Sequence, residues 1–481
     1  MGSQHIPYTF RSTQILRVES KTTVSTGRKL GMDSRIYRIP CEIFIVPYLP
    51  VYHMGFGKTH DIGDLVPEME GAKVGLGGWV EDIREMGKMT FLIVRDSTGG
   101  AQVVVKGALN EDARRLTRQS VISVSGTVQK TRARDYRIEV AADEIDVLAE
   151  AAHPLPIDPT GRLPSSIDNR LNARALDMRD KRTSSIFRIR HHVMASLRDT
   201  FNRMGFTEIT TPKIIGSASE GGANLFSLEY FGKTAYLAQS PQLYKEQMTM
   251  GLGRVFEISS FYRAEKSHTG RHLTEFTSVD IEAAFMDHLE VMDVLEELVI
   301  KTCCDIAKEC RREQDEIGFR MPVPDAGFER VTYSQAVGEI ADAGQDIKFG
   351  DDLADAHLRI IGERHPGFYF LTDWPQALKP FYIMESRDDP TISRSFDLQY
   401  GYLELSSGGT RMHDPEALRT RLQEQGLDPR AFVNHLRTFE WGMPPHSGWG
   451  LGLDRLVAVL TGTDNVRETV LYPRDPERLL P

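Results

Sequence analysis

Five short β-rich runs between Val74 and Leu148, a helical stretch after the third of them, and a proline-dense segment beyond predict an α+β protein. Its N-terminal part reads as an OB-type β-barrel, followed by a larger domain that mixes helices with strands. At roughly 100–200 residues per domain, a length of 481 residues admits two to four domains. The chain carries 58 basic and 68 acidic residues, a net charge of −10. That balance excludes attachment to nucleic acid by bulk positive charge, though not local contacts with phosphate. The most apolar stretch, Cys41 to Tyr52, is too short to span a bilayer and is broken by Pro47 and Pro50, so no membrane partner is expected. Cysteines at 41, 303, 304 and 310 are too few for a disulfide scaffold and lack zinc-site spacing. A reducing, cytoplasmic setting follows.

Residues 1–60 hold eight basic and three acidic residues, which leaves −15 for the remainder. They show no sustained period and read as a disordered or non-native arm, with a basic RNA-binding extension as the functional alternative. The barrel is placed at 68–150. Its strands are VGLGGWVEDI, KMTFLIVRD, AQVVVKG, VISVSGTV and YRIEVAADEIDVL, with DSTGG (96–100) as the turn between the second and third. LNEDARRLTRQ supplies the helix. HPLPIDPTGRLPSS (153–166), with four prolines, reads as an extended linker within a hinge at 151–175. The second domain then runs over 176–481. Ile186, Ile189, Val193, Leu197, Phe201 and Met204 recur at helical spacing, as do Val291, Val294, Leu295, Leu298 and Val299. Cys303 and Cys310 fit core filling better than a metal site.

Two apparent nucleotide motifs are decoys. Gly57-Lys58-Thr59 lacks the earlier glycine of a phosphate loop, because Tyr52 occupies that position. GLG at 75–77 and at 450–452 lacks the spacing of a dinucleotide fingerprint.

Arg254 to Glu282 is more informative. Two strand-like arms flank a polar loop, KSHTGRHL. Alternation puts Phe261, Arg263 and Glu265 on one face of the first arm, and Phe276, Ser278, Asp280 and Glu282 on one face of the second. A hairpin would gather an arginine, carboxylates and an exposed-edge phenylalanine, with Arg271 and His272 overhanging them. A guanidinium grips phosphate and stabilises charge as a bond transfers, and an aromatic face stacks a base. An ordinary surface hairpin with ion pairs would use the same residue types. Two other segments weigh against that. SGWGLGLDRLVAVLTG (447–462) is a glycine-rich strand entering an apolar helix whose first turn holds Arg455, where a cation opposes the helix dipole. YGYLELSSGGTRMHD (400–414) places Glu404, Ser407 and Arg411 around a Gly-Gly pair. In a regular strand 404 and 407 face opposite ways, so a turn at SSGG is expected to bring both oxygens to one Mg²⁺ ion.

FYRAE and RHLTEF resemble motif 2 of class II aminoacyl-tRNA synthetases, GLGLDRL resembles motif 3, and GFTEITTPKI (205–214) resembles motif 1, which builds the dimer interface of that class. Barrel, linker and catalytic domain in this order are similar to the aspartate, asparagine and lysine subgroup. SEGGANLF (219–226), QSPQLYK (239–245) and LSSGGTR (405–411) resemble its archaeal/eukaryotic aspartyl type. The resemblance covers about residue 68 to the C-terminus. It implies a class II catalytic domain built on an antiparallel sheet flanked by helices. It also implies L-aspartate, ATP and tRNA(Asp) as substrates, Mg²⁺ as the metal, and a homodimer.

Residue by residue, the resemblance assigns Arg263 and Arg455 to catalysis. Arg263 would hold the ATP α-phosphate and the aspartate α-carboxylate, with Glu265 and Phe276 at the adenine and Arg455 on its other face. Arg271 and His272 would meet the distal phosphates, while Leu273 and Gly452 complete the ATP site. Glu404 and Ser407 would bind Mg²⁺ and also touch substrate. Glu220 would hold the aspartate amino group, with Asp373 as a weaker candidate. Lys245 and Arg411 would receive the side-chain carboxylate, and Gln242 and Asp280 would complete that pocket. Two cations there favour a carboxylate over an isosteric amide, which would leave buried charges unpaired.

In the barrel, Arg84, Phe91 and Gln102 match anticodon-reading positions. Phe91 would stack a base, as aromatic platforms of OB-folds do, whereas Trp79 reads as barrel core. Discriminating relatives carry a tryptophan two residues after the GW tryptophan. Here that position is Glu81, and Asp135 stands where a lysine is associated with the same discrimination. Charging of tRNA(Asp) alone, or of tRNA(Asp) and tRNA(Asn), both remain readings. An asparaginyl enzyme, an amide ligase and a non-catalytic paralogue are the rivals. Lys245 opposes the first, the barrel the second, and retention of Arg263, Glu404, Ser407 and Arg455 the third.

Overall fold

The computed structural model describes residues 56–481 apart from 132–135, 137, 217–224 and 266–269. The arm read at 1–60 thus lies outside the described residues up to position 55, as do Asp135 and Glu220. Residues Phe56–Pro481 form one compact unit.

Strands β1 (Lys73–Met86), β2 (Met89–Arg95), β3 (Gly100–Lys106), β4 (Val121–Lys130) and β5 (Ile138–Ala149) close a barrel in the order β1-β2-β3-β5-β4, with helix α1 (Leu109–Arg115) between β3 and β4. Alternation fills it. Leu76, Val80, Leu92, Val94, Val103, Val105, Ile122, Val124 and Val140 point inward and are buried together. The β2–β3 turn is tied by Asp96, whose Oδ1 accepts from the Thr98 and Gly99 amides at 2.8 and 3.0 Å.

Trp79 is not barrel core. It falls between the inward-pointing Gly78 and Val80 on β1, so its ring faces outward, and the Arg179 guanidinium lies over it at 5.0 Å. Arg179 also donates to the Gln119 carbonyl at 3.2 Å, and Arg95 reaches from β2 to the Arg179 carbonyl at 2.9 Å. The tryptophan therefore belongs to the seam between barrel and second domain. Beyond the proline-rich segment, two short helices, Ile167–Asn172 and Arg174–Asp177, dock on the C-terminal segment. Arg174 is buried there and donates to the carbonyls of Leu471 and Val470 at 3.0 and 2.9 Å.

The second domain is built on an eight-stranded sheet. In chain order its strands are β6 (Thr207–Glu208), β7 (Arg254–Tyr262), β8 (Glu275–Ala284), β9 (Glu329–Thr332), β10 (Phe368–Thr372), β11 (Ser395–Tyr400), β12 (Leu403–Thr410) and β13 (His446–Gly452). They lie in the order β9-β10-β11-β12-β13-β8-β7-β6. Pairing is antiparallel except at the two ends, β9 with β10 and β6 with β7. One face is covered by α2 (Lys181–Arg203), α4 (His288–Glu309) and α5 (Leu453–Thr461); α3 (Gln242–Leu252) packs against β7 and β8. The heptad-like residues singled out in α2 and α4 are the ones that enter this core. Cys303 and Cys310 are buried in it, and burial pushes both thiols up to about 12. No helix among the described residues is long and apolar enough to cross a membrane.

Phe201 marks the centre of this layer. Its ring stacks on Phe256 at 4.5 Å between centroids and lies 6.2 Å from Trp449. Phe201→Ala should cost about 3–5 kcal/mol by lost transfer and cavity formation. Urea unfolding followed by tryptophan fluorescence checks this, and a loss below 1 kcal/mol would show that the layer closes over the gap.

Candidate active site

Strand parity builds the site. Along β8, Val279, Ile281 and Ala283 enter the helix-covered core, so Ser278, Asp280 and Glu282 face the other way. Trp449 and Leu451 do the same on β13 and leave Gly448, Gly450 and Gly452 on the open face. A Cβ at Gly448 would lie 2.2 Å from the Ile281 carbonyl oxygen and 2.4 Å from Glu282 Oε2, so only glycine fits. Above this floor lies a cleft of ≈ 560 Å³. It collects Gln242, Lys245, Arg263, Glu265, Arg271, His272, Leu273, Phe276, Asp280, Glu404, Ser407, Arg411, Gly452 and Arg455. Sequence distance had separated these residues by more than two hundred positions.

At one end sits a buried charge quartet. Lys245, 2% exposed, donates to Asp280 Oδ1 at 3.0 Å and to the Trp449 carbonyl at 3.2 Å, and lies 3.6 Å from Glu282 Oε2. Arg411 grips Glu282 through Nε at 3.0 Å and one terminal nitrogen at 3.3 Å. Burial works against the Arg411 charge, yet Glu282 and its other neighbours hold its pKa above the ordinary value. Ser278 donates to Asp280 Oδ2 at 2.6 Å. The sequence reading sets these two cations with Asp280 beside them; in the structure each has its own carboxylate partner, Asp280 for Lys245 and Glu282 for Arg411, and both cations still border the cleft. Glu282, which strand alternation places on this face from the sequence but to which the resemblance assigns no role, is the hub.

Glu404 and Ser407 do share a face, but no turn at SSGG brings this about. Strand β12 is continuous, and Gly408 and Gly409 pair within it against Trp449 and Gly448. The parity changes at a bulge: Leu398 pairs with Ser406 and Gln399 with Glu404, which leaves Leu405 as the extra residue. Glu404 and Ser407 therefore stand opposite Gln399 and Asp397, two residues of one face. Gly408 serves close packing, because a Cβ there would meet the Trp449 Cβ at 2.5 Å. Asp397 is a further acid that sequence reasoning missed. It is buried and paired with Lys379 at 3.0 Å. Glu404 lines the cleft with its side chain exposed. Desolvation first, and the Asp397 charge second, push its carboxyl above the ordinary range. Crowded carboxylates beside a hydroxyl are a hard oxygen set that gains from a cation, in keeping with Mg²⁺. Among the described residues no three His, Cys, Asp or Glu side chains converge as a full metal cage. Mg²⁺ commonly takes one or two carboxylates and completes its shell with phosphate and water.

The other end of the cleft is formed by the β7–β8 hairpin, whose register pairs Phe261 with Phe276. Phe261 is fully buried, and Phe276 lies on an interior strand, half-buried rather than on an exposed edge. The Arg263 guanidinium stands over the Phe276 ring at 5.3 Å. Arg455, in the first turn of α5, donates to the Glu404 carbonyl at 2.7 Å and to the Arg271 carbonyl at 3.4 Å. Those bonds account for a cation at that helix end. Arg271 pairs with Asp355 and lies over Tyr402. Burial, then the Arg455 charge, lowers the His272 pKa, so this ring is neutral at pH 7. A cation-rich wall with an aromatic plate suits a nucleoside triphosphate.

Asp373 does not line the cleft. It holds a positive φ of 57° just past β10, with its side chain turned to Thr372. Glu220 lies outside the described residues. In the barrel, Arg84 pairs with Phe91 across β1 and β2, and Ile93 with Gln102 across β2 and β3. Phe91 and Ile93 share a face, so Arg84, Phe91 and Gln102 stand together on the outer wall. Phe91 is half-buried there and absent from the barrel core. Gln102 donates to Glu139 at 3.0 Å.

Residues 166–476 match the family model for class II tRNA synthetases (D, K and N), and residues 74–148 that for the OB-fold nucleic acid binding domain. The chain is 45% identical over 424 residues to an aspartate–tRNA(Asp/Asn) ligase of Archaeoglobus fulgidus, covering 87% of this chain and 99% of that one. It is 42% identical to an aspartate–tRNA(Asp) ligase of Thermoplasma acidophilum, over 86% of this chain and 97% of that one. Among solved structures, asparaginyl-tRNA synthetase from Pyrococcus horikoshii with asparaginyl-adenylate superposes with a TM-score of 0.84 at 34% identity. The match covers 88% of this chain and 99% of that one.

Breaking the quartet at its hub should be costly. Glu282→Gln leaves the buried Arg411 charge without a charged partner, and removing one member of such a pair costs about 3–5 kcal/mol. Replacing both members, as Glu282→Leu with Arg411→Leu, should recover much of that loss. A double-mutant cycle in urea tests the coupling, and additive losses would refute it.

Proposed function

The chain belongs to the class II tRNA synthetases of the D, K and N group, and from this premise we propose that it is an aspartate–tRNA ligase. The observation that carries the reading is Lys245 and Arg411, held by Asp280 and Glu282 at the end of a triphosphate-sized cleft. The A. fulgidus and T. acidophilum relatives bear aspartate–tRNA ligase names. In the first step an aspartate α-carboxylate oxygen attacks the ATP α-phosphorus. The bond to the bridging oxygen breaks, pyrophosphate leaves, and aspartyl-adenylate remains. In the second, the terminal 3′-OH of the tRNA attacks the activated carbonyl, loses its proton, and AMP departs.

Arg263 neutralises charge at the α-phosphate and aligns the incoming carboxylate, and Arg455 closes the opposite side. Phe276 stacks the adenine with Glu265 at its edge, while Arg271, neutral His272 and Leu273 border the distal phosphates. Glu404 and Ser407, with Asp397 behind them, would hold Mg²⁺, which supplies charge neutralisation to the phosphates when bound. Glu220 holds the substrate ammonium, and Gln242, which the resemblance sets in the side-chain pocket with Asp280, is proposed here to meet that ammonium as well. Arg84, Phe91 and Gln102 on the barrel wall read the anticodon. We further propose a homodimer through the motif 1 segment, whose β6 ends the sheet. We also propose a reducing, cytoplasmic setting.

The superposition on an asparaginyl enzyme makes the amino acid the point to test. ATP–pyrophosphate exchange should depend on aspartate and show no stimulation by asparagine; the reverse pattern would sink the assignment. Lys245→Leu should raise the aspartate KM by roughly 100-fold or more and leave the ATP KM within twofold, since truncating one member of a desolvated pair costs about 3 kcal/mol. Equal loss toward both substrates would place Lys245 in the scaffold instead. Aminoacylation of purified tRNA(Asp) and tRNA(Asn) then reads directly what Glu81 permits.

A further inference from the structure

Behind the amino-acid end of the cleft lies a second buried charge cluster that the assignments above do not use. Glu246, on α3 one turn after Gln242, is fully buried, and so is His446 at the start of β13; His435, on the helix Val433–Phe439, is 3% exposed. Glu246 Oε1 accepts from the Gln242 amide at 2.6 Å. Its other oxygen, Oε2, makes no hydrogen bond among the described residues. It faces His435 Nε2 at 3.5 Å and His446 Nε2 at 3.7 Å, and neither nitrogen has another partner.

Local chemistry fixes where the protons sit. His446 Nδ1 lies 2.7 Å from the Pro444 carbonyl oxygen, which can only accept, so Nδ1 carries hydrogen. A neutral His446 would then aim a bare Nε2 lone pair at a carboxylate. A second proton on Nε2 turns that contact into an ion pair. His435 Nδ1 receives the Gln247 amide at 3.1 Å, which puts its own proton on Nε2, also toward Glu246.

The charge count makes this consequential. Lys245 and Arg411 cancel Asp280 and Glu282. Glu246 then adds one negative charge behind the pocket unless His446 is an imidazolium. The charged and titratable groups facing His446 are Glu246 from α3, Glu282 from β8, His435 from its helix and His413 from the segment after β12, while the Arg411 amide donates to the His446 carbonyl at 3.0 Å.

We propose that Glu246 and His446 are positioning residues for aspartate. Glu246 orients the Gln242 amide so that its carbonyl oxygen is left for the substrate ammonium, and imidazolium His446 cancels the Glu246 charge so that the pocket accepts an anionic side chain. The proposal rests on the aspartate reading of the cleft. Burial alone would lower the His446 pKa, but contact with Glu246 and its charge, then the Glu282 charge, hold it above the ordinary histidine value. The charged form thus persists at low pH and is lost as pH rises through that raised value. Above it the pocket gains net negative charge and repels aspartate.

The test is the pH dependence of KM for aspartate and for ATP in pyrophosphate exchange by the full-length protein, from pH 6 to 9. The aspartate KM should be flat at the acid end. It should then climb, by up to roughly tenfold per pH unit, beyond a midpoint above 6.5, while the ATP KM stays level. Glu246→Gln should move that midpoint down, and Glu246→Asp should restore it in part. A level aspartate KM in the unaltered protein overturns the proposal, whether or not the variants fold. So does an unmoved midpoint in a folded Glu246→Gln protein, because Lys245 or the substrate amine would then be titrating. Absence of aspartate-dependent exchange at every pH is a different result, and it would sink the substrate reading and this proposal together.

Discussion

The carboxylate of Glu282 is the interaction on which the rest of the site depends. It is fully buried, takes two hydrogen bonds from Arg411 and lies 3.6 Å from Lys245. An isolated ion in such a place would cost several kcal/mol or simply neutralise. What makes the charge tolerable is that its neighbours are fixed in place by regular structure: Arg411 follows β12, Lys245 rides on α3, and Asp280 sits two residues earlier on the same strand. The close approach of Glu282 to β13 in turn demands glycine at 448. Sheet register, helix position and a glycine thus answer to one buried oxygen pair.

The same sheet explains how a hydrophobic core and a polar cleft coexist within one layer. On β8 and β13, side chains of one parity enter the core under α2, α4 and α5, and those of the other parity floor the cleft. A one-residue slip would exchange the two sets. Strand β12 adds a controlled exception. Its bulge at Leu405 returns Leu405 to the core and puts Glu404 and Ser407 on one face, opposite Gln399 and Asp397. The site is therefore specified by the terms that specify the core.

Much of this was legible in the sequence, because period-2 alternation and turn chemistry are local. The barrel strands, the DSTGG turn, the helices at Ile186 and Val291, and the Arg254–Glu282 hairpin all follow from spacing. What failed had non-local causes. Trp79 reads as core until the second domain is placed against β1. The Gly-Gly pair at 408–409 reads as a turn because glycine's usual signal is conformational freedom, whereas here it marks close packing against Trp449. Lys245 and Arg411 read as a cationic pocket with Asp280 beside them, and the pairing of Glu282 with Arg411 emerges only once the sheet brings β8 near the end of β12. Asp397 and Glu246 offered no spacing signal, because each gains its meaning from an element far away in sequence.

The seam between the two domains bears on the acidic composition. On the tRNA reading proposed above, one polyanionic partner would meet the barrel's outer wall and the catalytic cleft together, and this seam sets their separation. Two arginines hold it by donating to backbone carbonyls, Arg95 to Arg179 and Arg179 to Gln119, with Trp79 beneath and Glu81 paired to Arg95 at 3.2 Å. Arg95 is thereby matched by Glu81, while Arg179 gives its donors to the neutral oxygens of Gln119, and a second cavity at this seam is bordered by Arg95, Arg179, Lys181, Arg188 and Arg312 together with Asp96, Glu313 and Glu316. The net charge of −10 disfavours bulk attraction to a polyanion, so on that reading RNA recognition would rest on local groups such as Arg84, Phe91 and Gln102 rather than on overall charge.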